Sequence, residues 1–165
     1  MSLGIRRART PDVRAIRGLV QPLTATRTLI AKDAVAYYES VHEFRVAELD
    51  GAVVGCGALH VMWEDLAEIR TLAVDEAHQG HGVGAALLQA LLDDAADLGV
   101  RRIFCLTFET AFFGRHGFEV IDGQAVEPQV YAEMLRSYDE GVAEFLDLER
   151  VKPNTLGNTR MLRTL

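Results

Sequence analysis

The sequence predicts an α/β fold, in the α+β sense, with a mixed and mostly antiparallel sheet. Three observations carry this. Short β-rich runs recur at 43–49, 52–63, 66–74 and 101–107. Two longer stretches keep the 3.6-residue apolar period of a helix instead. Between strand 66–74 and the helix that begins near Val83 sits Gln79-Gly-His-Gly-Val-Gly84, where three glycines fall at the hand-over.

Residues 4–9 read as a short first strand. Thr10-Pro11-Asp12 reads as a helix start: a capping hydroxyl, a proline at the first helical position and an acid in the first turn. Val13, Ile16, Leu19 and Val20 give that helix one apolar face, and Pro22 ends or kinks it. Residues 23–31 fit no single pattern. Residues 32–42 read as a second helix with Val35, Tyr38 and Val41 on one side. The strand at 43–49 alternates, and Asp50-Gly51 is a strong hairpin signal. Gly55 and Gly57 inside the next strand point to a bulge or a close backbone approach. Glu64-Asp65 turns the chain into 66–74, so three antiparallel strands precede the glycines.

After them, Val83, Leu87, Leu88, Leu91, Leu92, Ala95 and Leu98 form a broad helical stripe that Gly99 stops. Strand 101–107 should then lie parallel to 66–74, as a strand–helix–strand crossover requires. A short helix at 109–116, a strand at 117–121, a helix at 128–138 and a final strand at 160–165 follow. Residues 139–153 give no clear pattern. With no repeat, linker or low-complexity segment, residues 1–165 read as a single domain.

Composition excludes several function classes. A net charge of −7 gives no general attraction to nucleic acid or membranes. Cys56 and Cys105 sit in apolar strands, which suits buried thiols in a reducing cytoplasm. No apolar run is long enough to span a bilayer. His42, His60, His78, His81 and His116 lack the spacing of metal ligands, so no metal is expected. Surface or loop roles are their default reading, and His60, on a long apolar strand, is the one that could instead face a second substrate.

The glycine turn carries the chemistry. The first N–H groups of a helix have no internal partner and a partial positive charge, so they hold phosphate. Three readings compete. Gly80-x-Gly82-x-x-Ala85 formally satisfies a dinucleotide fingerprint, but that motif should open a run of parallel strands and be followed by an acid near the next strand end. The second reading is a glycine-rich helix start without function. Three glycines in five residues, at a cost of about 1 kcal/mol each within a helix, argue against it.

The third reading is a resemblance. Gln79-Gly-His-Gly-Val-Gly84, after Leu72-Ala-Val74 and before the apolar helix, resembles the main cofactor motif of the GCN5-related N-acetyltransferase superfamily. Phe112-Phe-Gly-Arg-His-Gly-Phe118 resembles its second motif. The resemblance implies a sheet splayed between 66–74 and 101–107, with acetyl-CoA as cosubstrate. The pyrophosphate would lie on the backbone N–H groups of Gln79, Gly80, His81, Gly82, Val83, Gly84 and Ala85. The pantetheine would pair with the backbone of Leu72, Ala73 and Val74. Thr107, Phe112 and Arg115 complete the cofactor set. Glu68 takes the position of a base glutamate, to deprotonate the acceptor amine. Its bland alternative is a solvated carboxylate or a salt-bridge partner of Arg70. The position that carries an acid tyrosine in many members is Phe113, which has no proton to give. Cys105 and Thr107 are the nearby substitutes, Cys105 reading better as a core residue.

More narrowly, Glu68-Ile-x-x-Leu-Ala-Val74, Arg102-Ile-Phe-x-Leu-Thr107 and Gly157-Asn-Thr-Arg-Met-Leu162 resemble the acetyltransferase domain of N-acetylglutamate synthases, in a short stand-alone form. That implies L-glutamate as acceptor, with L-glutamine as the close variant, in the first step of arginine biosynthesis. The missing kinase-like domain puts feedback by arginine in doubt. A dicarboxylate needs cations, and arginine's fork suits a carboxylate. Arg70, two residues from Glu68 on the same strand face, is the leading anchor. Lys152, Asn158 and Arg160 belong to the closing segment that such enzymes place beside the acceptor. Rival readings keep the fold and change the acceptor to another amino acid, a polyamine, an aminoglycoside or a protein N-terminus, or make the chain a non-catalytic CoA sensor. The sequence leaves the oligomeric state open, a homodimer included.

Overall fold

In a computed structural model, residues 2–25, 32–155 and 157–165 are described. The ambiguous stretch 23–31 therefore lies largely outside them. The elements are β1 (Leu3–Arg7), α1 (Val13–Ala25), α2 (Ala34–Glu39), β2 (Phe44–Leu49), β3 (Ala52–Trp63), β4 (Leu66–Val74) and α3 (Val83–Leu98). They continue with β5 (Arg102–Thr107), α4 (Thr110–Arg115), β6 (Glu119–Val120), α5 (Pro128–Met134), α6 (Glu140–Phe145), α7 (Lys152–Thr155) and β7 (Thr159–Thr164). Among the described residues the strands form a seven-stranded, mostly antiparallel sheet in the order β1-β2-β3-β4-β5-β7-β6. The chain falls into two compact units, residues 1–60 with 69–97 and residues 61–68 with 98–165.

In the first unit, β1, β2 and β3 are antiparallel neighbours. The Asp50-Gly51 hairpin forms as expected, with φ of 50° and 82° at its two central residues. Helices cover both faces of this part of the sheet. On one face Val13, Ile16 and Val20 of α1 and Tyr37 of α2 pack against Phe44, Val46, Cys56, Ala58 and Ala73. On the other, Val83 and Leu87 of α3 pack against Ala47 and Val54.

Gly55 and Gly57 explain how closely α3 approaches. The register shifts between Ala47↔Gly55 and Glu48↔Val53, so a bulge lies beside Gly55. A Cβ at Gly55 would lie 2.9 Å from Leu87 Cδ1 and 3.0 Å from Val83 Cγ1. A Cβ at Gly57 would lie 2.9 Å from Leu91 Cδ1 and 3.0 Å from Leu72 Cδ1. Gly57→Val is therefore expected to overpack this interface and destabilise the protein by about 1–3 kcal/mol. Calorimetry should show Tm lowered by roughly 2–4 °C for each kcal/mol lost.

Four local expectations are corrected along these helices. Thr10 does not cap α1: a 3-10 turn spans Thr10–Asp12, and the Asp12 carboxylate accepts the Arg9 N–H at 2.7 Å. Asp12 also accepts from Arg6 Nη1 and Nη2 at 2.8 and 3.0 Å, which holds its carboxyl below the usual range. Pro22 does not end α1, which continues to Ala25. On the short α2, Tyr37 is the buried residue, while Val35 is 60% exposed and Tyr38 44%. The α3 stripe is buried from Val83 to Ala95, but Leu98 in its last turn is 63% exposed. Gly99 follows with φ 88° and stops the helix.

In the second unit, β5 pairs in parallel with the start of β4, placing Glu68 opposite Phe104. β7 then lies between β5 and β6 and is antiparallel to both. Arg102 ties this part together, donating Nε and Nη2 to the Asp65 carboxylate at 3.0 and 3.2 Å and Nη1 to the Ala125 carbonyl at 2.5 Å. The stretch without a clear pattern contains α6, capped by the Asp139 carboxylate, which accepts from Val142 N at 3.1 Å. Phe145 and Leu146 pack with Leu66, Phe104, Met134 and Val142.

Candidate active site

The glycine turn starts where β4 ends. Asp75 N donates to the Val54 carbonyl at 2.8 Å, and the Asp75 carboxylate meets His78 Nδ1 at 2.8 Å. The Gln79 amide reaches back to the Val74 carbonyl at 3.2 Å. Gly80 and Gly82 have φ of 78° and 81°, with no atom within 4 Å of a built Cβ at either position. Glycine is thus required by backbone shape, not by packing against protein. The α3 ladder begins with Ala86 N bonded to the Gly82 carbonyl at 3.0 Å. The N–H groups of Val83, Gly84 and Ala85 therefore precede the first intrahelical bond. Donors on an open glycine turn at the positive end of a 16-residue helix fit a pyrophosphate.

The strand before the turn contains an irregularity that the sequence does not signal. Thr71 has φ 57°, a left-handed conformation that is rare for a β-branched residue. The Cys56 thiol donates to its carbonyl at 3.5 Å. This kink lies just before Leu72, Ala73 and Val74, the residues expected to offer a backbone edge.

Glu68 is 3% exposed. The bland alternative of a solvated strand-end carboxylate is thereby excluded. It carries enough charge toward Cys105 that the thiol pKa is pushed up, first by burial and second by Glu68. Cys105 is itself buried and keeps its proton too firmly to serve as an acid. Burial likewise raises the Cys56 thiol to about 12. Both thiols are expected to resist Ellman's reagent at neutral pH and to react as two equivalents in denaturant. Rapid reaction of the native protein would contradict their burial. The Thr107 hydroxyl accepts the Glu109 N–H at 2.8 Å. Phe113 is buried, with Phe112 and Phe118 edge-on at 5.1 Å each, so this position is an aromatic core contact. Phe112 also lies tilted against His116 at 4.7 Å, and Arg115 is exposed.

The expected acceptor residues have different surroundings. Arg70 is partly exposed on β4. Lys152 is exposed and pairs with Asp147. Arg160 donates Nη1 to the Gly123 carbonyl at 3.1 Å and Nη2 to the Phe145 carbonyl. Burial lowers its pKa, against the raising effect of Asp147 and Asp122. Two buried polar atoms in this segment have no hydrogen-bond partner: Asn158 Oδ1 and Arg160 Nε. Orphaned buried donors and acceptors are rare in folded proteins. His60 Nδ1 lies 2.6 Å from the Glu43 carboxylate. Among the described residues no cluster of His, Cys, Asp or Glu is arranged to hold a metal, and no helix is long and apolar enough to cross a membrane.

The acetyltransferase (GNAT) family model matches residues 18–118. The chain belongs to the GNAT acetyltransferase family. It is 59% identical over 164 residues to a Mycobacterium tuberculosis protein named amino-acid acetyltransferase, covering 98% of this chain and 94% of that one. A crystal structure of Rv2747 from Mycobacterium tuberculosis, in complex with CoA and NLQ, superposes with a TM-score of 0.94 at 59% identity, covering 98% and 99% of the two chains. N-acetylglutamate synthase from Neisseria gonorrhoeae, complexed with coenzyme A and N-acetyl-glutamate, matches with a TM-score of 0.80 at 25% identity. There the whole of this chain corresponds to 35% of the longer one. This GNAT chain is thus an acetyltransferase that uses acetyl-CoA, and the dinucleotide reading of its glycine turn is set aside.

Proposed function

We propose that this GNAT enzyme transfers the acetyl group of acetyl-CoA to the α-amino group of L-glutamate, the opening reaction of arginine synthesis. The likeness to the N-acetylglutamate synthase complex with coenzyme A and N-acetyl-glutamate is the observation that carries it. The amino-acid acetyltransferase name of the Mycobacterium tuberculosis relative supports an amino-acid acceptor.

The reaction is a direct attack. Glu68 takes a proton from the acceptor ammonium, directly or through water, and frees the nitrogen lone pair. The nitrogen–carbon bond forms at the thioester carbonyl, and backbone N–H groups of β4 steady the developing oxyanion. The carbon–sulfur bond then breaks and CoA leaves as its thiolate. Phe113 supplies no proton, so the thiolate takes, through water, the second proton that the attacking nitrogen sheds as the amide forms. Leu72 to Val74 hold the pantetheine edge and Gln79 to Ala85 hold the pyrophosphate. Thr107, Phe112 and Arg115 lie along the remaining cofactor path. Arg70 anchors one acceptor carboxylate, with Asn158, Arg160 and Lys152 in the closing segment. Asn158 Oδ1 and Arg160 Nε supply an acceptor and a donor of the kind an amino acid needs.

The deciding experiment follows thiol release from acetyl-CoA with L-glutamate and with L-glutamine, and identifies the product by mass spectrometry. Turnover preferring glutamate supports the synthase reading. Preference for glutamine changes the acceptor within the same class. Tight CoA binding without turnover of either leaves this proposal untenable. Arg70→Ala is expected to raise KM for glutamate about tenfold or more while KM for acetyl-CoA stays near its original value, the cost of one charge-assisted contact. A variant that loses its cooperative melting transition instead would make Arg70 a structural residue.

A further inference from the structure

The glycine turn has an electrostatic deficit that its backbone donors do not make up. No lysine or arginine occurs between Thr71 and Val100. From Asp75 to Ala85 the charged side chains are Asp75 and Glu76, joined by His78 and His81 only when these take a proton. The stretch is therefore acidic, while the ligand it fits is an anion. The elements packed against it do not supply the missing charge. β3 meets the turn through Val54 and Gly55, and its nearest ionisable group is Cys56, whose buried thiol keeps its proton. β4 has no charge from Thr71 to Val74, and Arg70 lies about 13 Å up the strand from Val74. β1 and β2 reach Val83 through Ile5, Ala47 and Leu49, but Arg7 and Arg45 pair with Asp94, and Arg6 pairs with Asp12 and Glu48. Asp50 in their hairpin adds another acid. α3 has no charge from Val83 to Leu92, and Asp93, Asp94 and Asp97 begin about 15 Å along its axis.

The two histidines differ. His78 is engaged, with Nδ1 2.8 Å from the Asp75 carboxylate, so a proton there balances a charge of the turn itself. His81 is exposed and makes no hydrogen bond or ion pair among the described residues. It stands between Gly80 and Gly82, where no atom lies within 4 Å of a built Cβ, so its side chain has room on both flanks. Gln79 is neutral, and its amide is turned back to the Val74 carbonyl. We propose that CoA binds with uptake of a proton onto His81, whose imidazolium then donates to a phosphate oxygen. The proposal rests on the reading of Gln79 to Ala85 as the phosphate cradle. Imidazole is the side chain whose ordinary charge change falls between pH 5 and 8. Its cation makes a charge-assisted hydrogen bond to an anion and offsets Asp75 and Glu76. The protonated form binds better, so affinity is greatest below the imidazole range and falls as pH rises through it.

Dephospho-CoA is the probe. Its pyrophosphate is a diester of constant charge over this range, whereas the 3′-phosphate of CoA has a second ionisation at about pH 6 and would titrate by itself. Calorimetric titration of the full chain at fixed ionic strength should show affinity falling about three- to tenfold from about pH 5.5 to 8.5. Repeating the titration near neutral pH in buffers of different ionisation enthalpy should show uptake of a fraction of a proton. His81→Asn should bind like the parent at high pH, with neither the pH dependence nor the uptake. His81→Lys should bind as tightly as the parent at low pH and hold that affinity as pH rises. His78→Asn should keep both the dependence and the uptake. Gly82→Val separates this proposal from the reading beneath it. If that variant weakens binding while His81→Asn titrates like the parent, the cradle stands and His81 is not its cation. If neither variant changes binding, the cradle reading falls and this proposal with it. Loss of the pH dependence in His78→Asn, with His81→Asn unaffected, would also overturn it.

Discussion

Glu68→Gln is expected to lower kcat by roughly 10²–10⁴-fold at neutral pH, the range a positioned general base contributes. CoA affinity should stay unchanged, because no part of the proposed cradle from Gln79 to Ala85 is altered. The substitution keeps the shape of a side chain that is almost wholly buried on β4 beside Phe104 and Cys105. The loss should narrow as pH rises, since an amine already neutral in solution needs no base. Steady-state rates from pH 6 to 10, with CoA titrations alongside, read both effects. An unchanged kcat would remove Glu68 from proton transfer. A loss that is flat across pH would leave it a purely structural carboxylate.

The second large effect is expected at Gly82. Gly82→Val places a β-branched residue at φ 81°, a conformation that costs on the order of 1–3 kcal/mol. The residue relieves that strain by moving the loop, and the donors ahead of Ala86 then lose their common aim. CoA affinity should fall about 10- to 100-fold by titration, since each 1.4 kcal/mol is a tenfold change. The melting temperature should move much less, because no packed neighbour surrounds the site. Gly82→Ala should fall between the two. A valine variant that binds CoA normally would mean that the phosphates are held elsewhere.

Much of this architecture was legible because local chemistry determined it. The Asp50-Gly51 hairpin, the stop at Gly99 and the turn at Gly80 and Gly82 all depend on positive φ, which glycine and a few polar residues announce in sequence. The α3 stripe was legible because six of its positions face one packed surface. Misreadings fell where a neighbour decided the outcome. On α2 the apolar period favoured Val35 and Tyr38, but a six-residue helix is too short for its pattern to fix its phase, and contact with Phe44 selected Tyr37. The turn starts at Arg9 rather than Thr10, because Arg6, on a different element, holds the Asp12 carboxylate where it accepts the Arg9 N–H. The insertion of β7 between β5 and β6 is a long-range pairing that no window of sequence contains. Thr71 gave no warning, since threonine is an ordinary strand residue and only the completed sheet shows its kink. At the candidate site, the sequence singled out Glu68 and the glycines as residues. The burial of Glu68 and the orphaned atoms of Asn158 and Arg160 became visible only with the fold.

The two ends of the glycine turn rest on consecutive residues of β3: Asp75 is bonded to the Val54 carbonyl, and Val83 lies against Gly55. The bulge at that point is thus a reference surface from which the height of the turn is set. A side chain at residue 55 would act as a shim under the first turn of α3. Tilting it by a fraction of an ångström would detune the turn's donors without touching any atom that binds the cosubstrate. If the turn is the proposed phosphate cradle, position 55 is expected to act on CoA affinity from beneath the helix, and substitutions there should be scored by CoA titration as well as by melting.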